Sequence, residues 1–133
     1  MIMLGKDKIK DFISLTRLRN LPFILEIIAG AFLAVSFDFQ LLDFSKLFLV
    51  LISFQILYAA IYVNNDIFDL KEDLKDKIKS QRPLPAGRIK RREALIFSLF
   101  LTSLALLLAI MFIPALAAFE LIFLVFNIFI LQL

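Results

Sequence analysis

The 133-residue chain contains no cysteine and no histidine. Their absence removes disulfides, thiolate and imidazole metal sites, cysteine nucleophiles, and every catalytic triad that needs an imidazole base. Glycine is almost as scarce. Gly5, Gly30 and Gly87 are the only three, too few to build a glycine-rich phosphate loop. Any catalysis must therefore rest on carboxylates, amides, hydroxyls, Arg/Lys, or a metal held by oxygen ligands.

Apolar residues are in excess: they make up 62% of the chain, and the mean hydropathy is +0.93. A soluble domain is about 45–50% apolar. The excess falls into four runs, over 21–37, 47–63, 94–113 and 114–133, each 17 to 20 residues long. That is close to the ~20 helical residues that cross ~30 Å of hydrocarbon. Backbone groups left unpaired in lipid are too costly to tolerate. The expected fold is therefore all-α, a multi-pass transmembrane helical bundle with four spans in one membrane domain covering 1–133. Pro114 breaks the third span from the fourth with almost no loop. Ala34-Val35-Ser36 offers the small residues of a signal-peptide cleavage site. A long polar stretch before the first run, and Glu26 within it, favour a retained helix instead.

The net charge of +3 comes from fifteen basic and twelve acidic residues. These charges are segregated between apolar runs rather than spread over one face, so they speak of topology and not of nucleic acid. Five basic residues precede the first run, Lys46 alone lies in the next connection, and nine lie within 64–93. With four spans, fourteen of the fifteen fall on one side. The positive-inside rule makes that side cytoplasmic, placing the N-terminus and the 64–93 loop in the cytoplasm of a cell-membrane protein.

The 64–93 loop holds the chemistry. It opens with Asn64-Asn65-Asp66-Ile67-Phe68-Asp69-Leu70-Lys71-Glu72-Asp73 and contains Arg82-Pro83-Leu84-Pro85-Ala86-Gly87. With no Gly or Pro before Pro83, the second helix is expected to run on into the acidic stretch. Asp66, Asp69 and Asp73 then stand at i, i+3 and i+7 on one face, which extends back to Tyr62 and Tyr58 and forward to Asp76. Three like charges on a stripe repel one another, and a hard cation such as Mg²⁺ relieves them by bridging carboxylates to substrate phosphates. An EF-hand needs acids at alternate positions and a Gly at the sixth, and this spacing has neither. A sugar cleft for a glycosidase carboxylate pair does not suit a membrane face. The plain alternative is a solvated loop. Two prolines and a glycine beside an arginine weigh against it.

Asn65-Asp66-x-x-Asp69-x-x-x-Asp73, followed by Arg82-Pro83-Leu84-Pro85-Ala86-Gly87, resembles the first signature of the UbiA superfamily of intramembrane polyprenyltransferases. Arg17 and Asn20 resemble the Arg-x-x-Asn sometimes found at that family's start. The resemblance implies transfer of a polyprenyl group from its diphosphate donor to an acceptor, commonly aromatic. Asp66, Asp69 and Asp73 would hold Mg²⁺ against the diphosphate, and Asn65, Arg82, Arg17 and Asn20 would bind substrate. Tyr58 and Tyr62 are placed to shelter an allylic cation, or equally to sit as ordinary aromatic residues near the membrane interface. The nine-residue separation from Asp73 to Arg82 resembles the hydroxybenzoate and phosphoribosyl-type members more than those making archaeal ether lipids. Such enzymes carry a second Asp-rich signature in a C-terminal half, and nothing after Glu93 resembles it. The resemblance thus covers the front part of an enzyme, with a C-terminal half as an expected partner.

Two other classes compete. A small four-helix proton-coupled transporter would use Glu26, since an intramembrane acid is a functional candidate by default. A non-catalytic membrane scaffold would keep the same helices without turnover. Gln55, Glu120 and Asn127 are further polar groups in the spans, expected to seek partners on other helices.

Overall fold

The computed structural model describes residues 2–17, Ile28 and residues 43–130. The first expected span, 21–37, falls outside the described residues apart from Ile28, and so do Asn20 and Glu26. Every regular element among the described residues is helical. In chain order these are α1 (Ile2–Leu15), α2 (Phe44–Phe68), a single turn α3 (Leu70–Asp73), a 3₁₀ turn (Lys79–Gln81), α4 (Arg91–Phe112) and α5 (Pro114–Ile130).

Local chemistry sets each boundary. Asp43 caps α2, its carboxylate accepting from the N–H groups of Ser45 at 3.0 Å and Lys46 at 3.1 Å. Glu93 folds back to accept the Lys90 N–H at 3.0 Å, half of a capping box that starts α4. Ile113 leaves the helical region with φ −145° and ψ 79°, as the residue before a proline tends to, and Pro114 opens α5 at the first helical position. The α4–α5 hairpin thus turns on one residue, as the sequence suggests. α2 overruns its expected bounds of 47–63 at both ends and α4 starts three residues before its expected 94–113, because polar residues at helix ends are helical too.

Two helices, α2 and α4, are long and apolar enough to cross a membrane. The 17-residue α5 is apolar but shorter. These three pack with small residues at the seam: Ala60, Ala94, Ala105 and Ala109 are buried, and so are Ser53 and Ser98. Close approach of backbones lets serine hydroxyls bond across helices. Ser98 donates to Asn64 Oδ1 at 2.8 Å and lies 3.3 Å from the Ala60 carbonyl. Ser53 lies 3.0 Å from the Ala105 carbonyl and 2.7 Å from Glu120 Oε1. Glu120 is fully buried; Ser53 meets its Oε1, and its Oε2 makes no hydrogen bond among the described residues. Asn127 likewise donates to the Phe123 carbonyl in its own helix at 3.1 Å. Outward faces carry large apolar side chains such as Leu99, Phe100, Ile110, Ile122 and Phe126, which suits a lipid solvent.

The N-terminal polar stretch is itself a helix. Leu15 of α1, Val63 and Ile67 of α2, Leu84 and Ile89 of the loop and Ala94 of α4 form one buried cluster, with Phe12 and Phe97 packed against it. Lys8 pairs with Glu93 at 2.6 Å, and Arg88 with Asp11 at 3.0 Å. This small core at one end of the bundle joins the two basic regions and fixes the motif loop on the end of α2.

Enlarging a residue at the seam should be costly. Ala105→Leu adds volume where none is free, and overpacking typically costs about 1–3 kcal/mol. Thermal unfolding in detergent should show a clear drop in Tm for this variant, while Leu107→Ala on the exposed face of α4 stays near the parent.

Candidate diphosphate site

At the end of α2 the helix stops at Phe68, and Asp69 caps it with φ −80° and ψ 0°. Its N–H still bonds the Asn65 carbonyl at 2.8 Å, and Asp73 N–H bonds the Asp69 carbonyl at 2.8 Å. The chain therefore continues as an interrupted helix, and the expected stripe splits. Asp66 and Asp73 are buried, with 3% and 1% of their surface exposed, whereas Asp69 is exposed. Among the described residues no three acidic side chains form one metal-holding group.

Arg82 joins the two buried acids. Its Nη1 donates to Asp73 Oδ2 at 3.0 Å and lies 3.5 Å from Asp66 Oδ1. Arg17 Nη2 donates to the same Asp66 Oδ1 at 2.5 Å. Its guanidinium sits 5.0 Å from the centre of the Tyr62 ring, a cation–π distance. Arg17 itself has φ 48°, a left-handed conformation costing an L-residue on the order of 1 kcal/mol. Glycine would fit there freely, so the position is held for its side chain.

The loop that delivers Arg82 explains its two prolines and glycine. Arg82 is extended before Pro83. Ala86 N–H then bonds the Arg82 carbonyl at 2.9 Å, and Gly87 turns the chain at φ 73°. Arg88 and Ile89 N–H groups return to the Pro83 carbonyl at 3.0 and 3.2 Å. Leu84 and Ile89 are buried by this turn, anchoring Arg82 over the acids. Asp76 lies apart from them. Its carboxylate accepts from Ile78 N–H at 2.7 Å and Lys79 N–H at 2.9 Å. The Lys79 and Ile78 amides hold it below the ordinary carboxylate range. That cap is in force at neutral pH and is lost only as pH falls through the lowered value.

Two buried oxygens at the site, Asp73 Oδ1 and Asn65 Oδ1, make no hydrogen bond. Lys79 Nζ stands 3.5 Å from the former, an ion pair without hydrogen-bond geometry. Buried unpaired acceptors cost about 1–3 kcal/mol each and call for an explanation. A carboxylate oxygen and an amide oxygen are hard donors that suit Mg²⁺, which typically takes one or two carboxylates and completes its shell with water and phosphate. The donor set fits that ion.

Below the acids an aromatic column descends along α2 and α5. Tyr62 meets Tyr58 edge-on at 5.7 Å, Tyr58 stacks on Phe123 at 5.8 Å, and Phe54 packs on Phe123 and Phe119 at 5.4 and 5.9 Å. The phenylalanines were not legible as part of the site, because their approach depends on the register of α5. Lys79, Asp11 and Arg88 were also missed. For α1 a local signal exists: Ile9, Phe12, Ile13 and Thr16 recur at i, i+3, i+4 and i+7.

A helical membrane protein with an Asp–Arg cluster at one end of an aromatic-lined helix is the class these features define. The sequence profile of the UbiA prenyltransferase family matches residues 23–131, and the chain belongs to that family. It is similar to the protoheme IX farnesyltransferase of Picosynechococcus sp., 33% identical over 110 residues, which are 83% of this chain and 34% of that protein. The digeranylgeranylglyceryl phosphate synthase of Methanocaldococcus jannaschii is 33% identical over 107 residues, 78% of this chain and 35% of that one. A second protoheme IX farnesyltransferase, from Rippkaea orientalis, is 32% identical over 109 residues, 82% of this chain and 33% of its own length. The chain spans about a third of the length of these curated relatives. No solved structure matches it significantly.

The split between the acids separates two effects. Asp66→Asn leaves Arg17 and Arg82 short of a buried counter-charge and should cost about 2 kcal/mol, less than a fully buried pair because both arginines are partly exposed. Asp69→Asn, at an exposed position, should change stability by less than about 0.5 kcal/mol. Equilibrium unfolding of the two variants measures both.

Proposed function

We propose that this chain supplies the diphosphate-binding part of a Mg²⁺-dependent prenyltransferase. The enzyme would move a polyprenyl group from its diphosphate to an acceptor, aromatic by our reading, within the membrane. The observation that carries this is the pair of buried carboxylates, Asp66 and Asp73, clamped by Arg82 and Arg17 at the head of an aromatic column. Asp66 and Asp73, with the Asn65 amide oxygen, would hold Mg²⁺, and Asp69, which stands apart from them here, would turn in to join them when the ion and diphosphate bind. Bound there, the ion supplies positive charge to the leaving diphosphate. Arg82 and Arg17 present donors that suit phosphate as well as carboxylate, and bind and orient the same group. Asn20 is proposed as a further substrate contact on the strength of the Arg17-x-x-Asn20 spacing. Tyr62 and Tyr58 offer ring faces to the allylic cation left behind. Phe123, Phe119 and Phe54 line the way for the isoprenoid and keep water from it.

Family membership favours a transferase over the transporter built on Glu26. The proposed topology has four spans in the cell membrane with the N-terminus and the 64–93 loop cytoplasmic. Its support is the basic-residue count, together with the contacts that hold α1 and that loop at one end of α2.

Labelled polyprenyl diphosphate should bind the purified chain at least about tenfold more tightly with Mg²⁺ than with a chelator, as expected where metal and carboxylates share the ligand. Asp69→Asn should remove most of that gain, and Asp43→Asn at the far end of α2 should leave it intact. Equal losses at both positions would reduce the acids to a solvated surface.

The missing cysteines make topology direct to test. With Ser80→Cys and Gln40→Cys in separate otherwise cysteine-free chains, an impermeant thiol reagent applied outside cells should label position 40 and spare position 80. The reverse pattern contradicts the orientation.

A further inference from the structure

A cavity of about 640 Å³, whose lining does not include Arg82, Asp66 or Asp73, opens between α2, α4 and α5. Its walls are apolar, with Ile67, Leu95, Leu99, Leu124 and Ile128 among them, and its two charged lining residues are Arg91 and Arg92. Both arginines are exposed at the first turn of α4, and neither has a carboxylate partner among the described residues. Arg17, Arg82 and Arg88, in contrast, are all committed to acids.

The dimensions and the charge choose the occupant. The cavity follows α4 from Arg91 to Thr102, a rise of about 16 Å at 1.5 Å per residue. Half of a ~30 Å hydrocarbon core is one leaflet. A groove one leaflet deep, apolar along its length and dicationic at its mouth, matches one membrane lipid with an anionic headgroup. Basic pockets between membrane helices on the cytoplasmic side bind such headgroups. We propose that Arg91 and Arg92 hold the phosphodiester of an anionic phospholipid, with an acyl chain lying against Leu95, Leu99, Leu124 and Ile128. This site is separate from the diphosphate cluster and does not depend on the reading given to it. Asn64, Ser98 and Thr102 also line the cavity. Asn64 and Ser98 are satisfied by one another and make no demand on the chain that passes them.

The test is equilibrium binding of a fluorescent phosphatidylglycerol to the full 133-residue chain in neutral detergent micelles. Competitors are unlabelled phosphatidylglycerol, phosphatidylcholine of the same acyl chains, inorganic phosphate and a polyprenyl diphosphate. Phosphatidylglycerol should compete and phosphatidylcholine should not. The double variant R91Q/R92Q should weaken binding about thirtyfold, the effect of two interfacial cations. Leu99→Trp fills the groove with both arginines intact and should also weaken it, with thermal unfolding confirming that each variant is folded. Equal competition by phosphatidylcholine, or parent-like binding by Leu99→Trp, would overturn the proposal. Displacement by inorganic phosphate would reduce the site to an anion patch, and displacement by the polyprenyl diphosphate would reassign the groove to the donor; either result overturns it.

Discussion

The guanidinium of Arg82, set between the carboxylates of Asp66 and Asp73, is the contact on which the working end of the molecule depends. Two acids almost wholly removed from water, one in the last turns of a membrane helix and one just beyond it, are costly to ionise without partners. Arg82 meets both, Arg17 adds a second charge to Asp66, and Lys79 approaches Asp73. Because Arg82 comes from the loop and Arg17 from the end of α1, satisfying these acids folds both segments onto α2. Electrostatics and packing then reinforce each other, since Leu15, Leu84 and Ile89 are buried in the same region.

That arrangement is also where the structure leaves acceptors unmet. Asp73 Oδ1 and Asn65 Oδ1 are buried without hydrogen bonds while donors crowd the neighbouring oxygens. Asp73 Oδ1 keeps only the Lys79 ammonium at 3.5 Å, and one further buried oxygen without a hydrogen bond among the described residues, Glu120 Oε2, lies in α5. Arg17 is kept in a left-handed conformation that glycine would adopt without strain. Both features are consistent with the phosphate-bearing ligand proposed above, and Arg17 also serves Asp66 and Tyr62 within the chain.

Much of this was legible along the chain. The apolar runs within the described residues, the Pro114 break, and the Asp–Arg-Pro-x-x-x-Gly pattern all act through local chemistry, and each reappears as a helix, a one-residue hairpin turn or a compact loop. What depends on tertiary register was not. The split of Asp69 from Asp66 and Asp73 follows from the break after Phe68, which no Gly or Pro announces. The Ser53–Glu120 bond joins residues 67 positions apart, so the sequence does not announce it, although Glu120 Oε2 still lacks, among the described residues, the partner the sequence leads one to expect. Arg17 was marked by a short spacing pattern alone. Its weight became visible only when α1 proved to be a docked helix instead of a polar tail.

The central claim, that the Asp66/Asp73 pair holds a divalent metal against a diphosphate, is tested most directly by replacing Mg²⁺ with paramagnetic Mn²⁺. Electron–nuclear double resonance on the chain with Mn²⁺ and a polyprenyl diphosphate should show ³¹P coupling to the bound ion. Asp73→Asn should abolish the protein-dependent part of that signal. Absence of phosphorus coupling in the parent chain, or an unchanged spectrum in the variant, would contradict it.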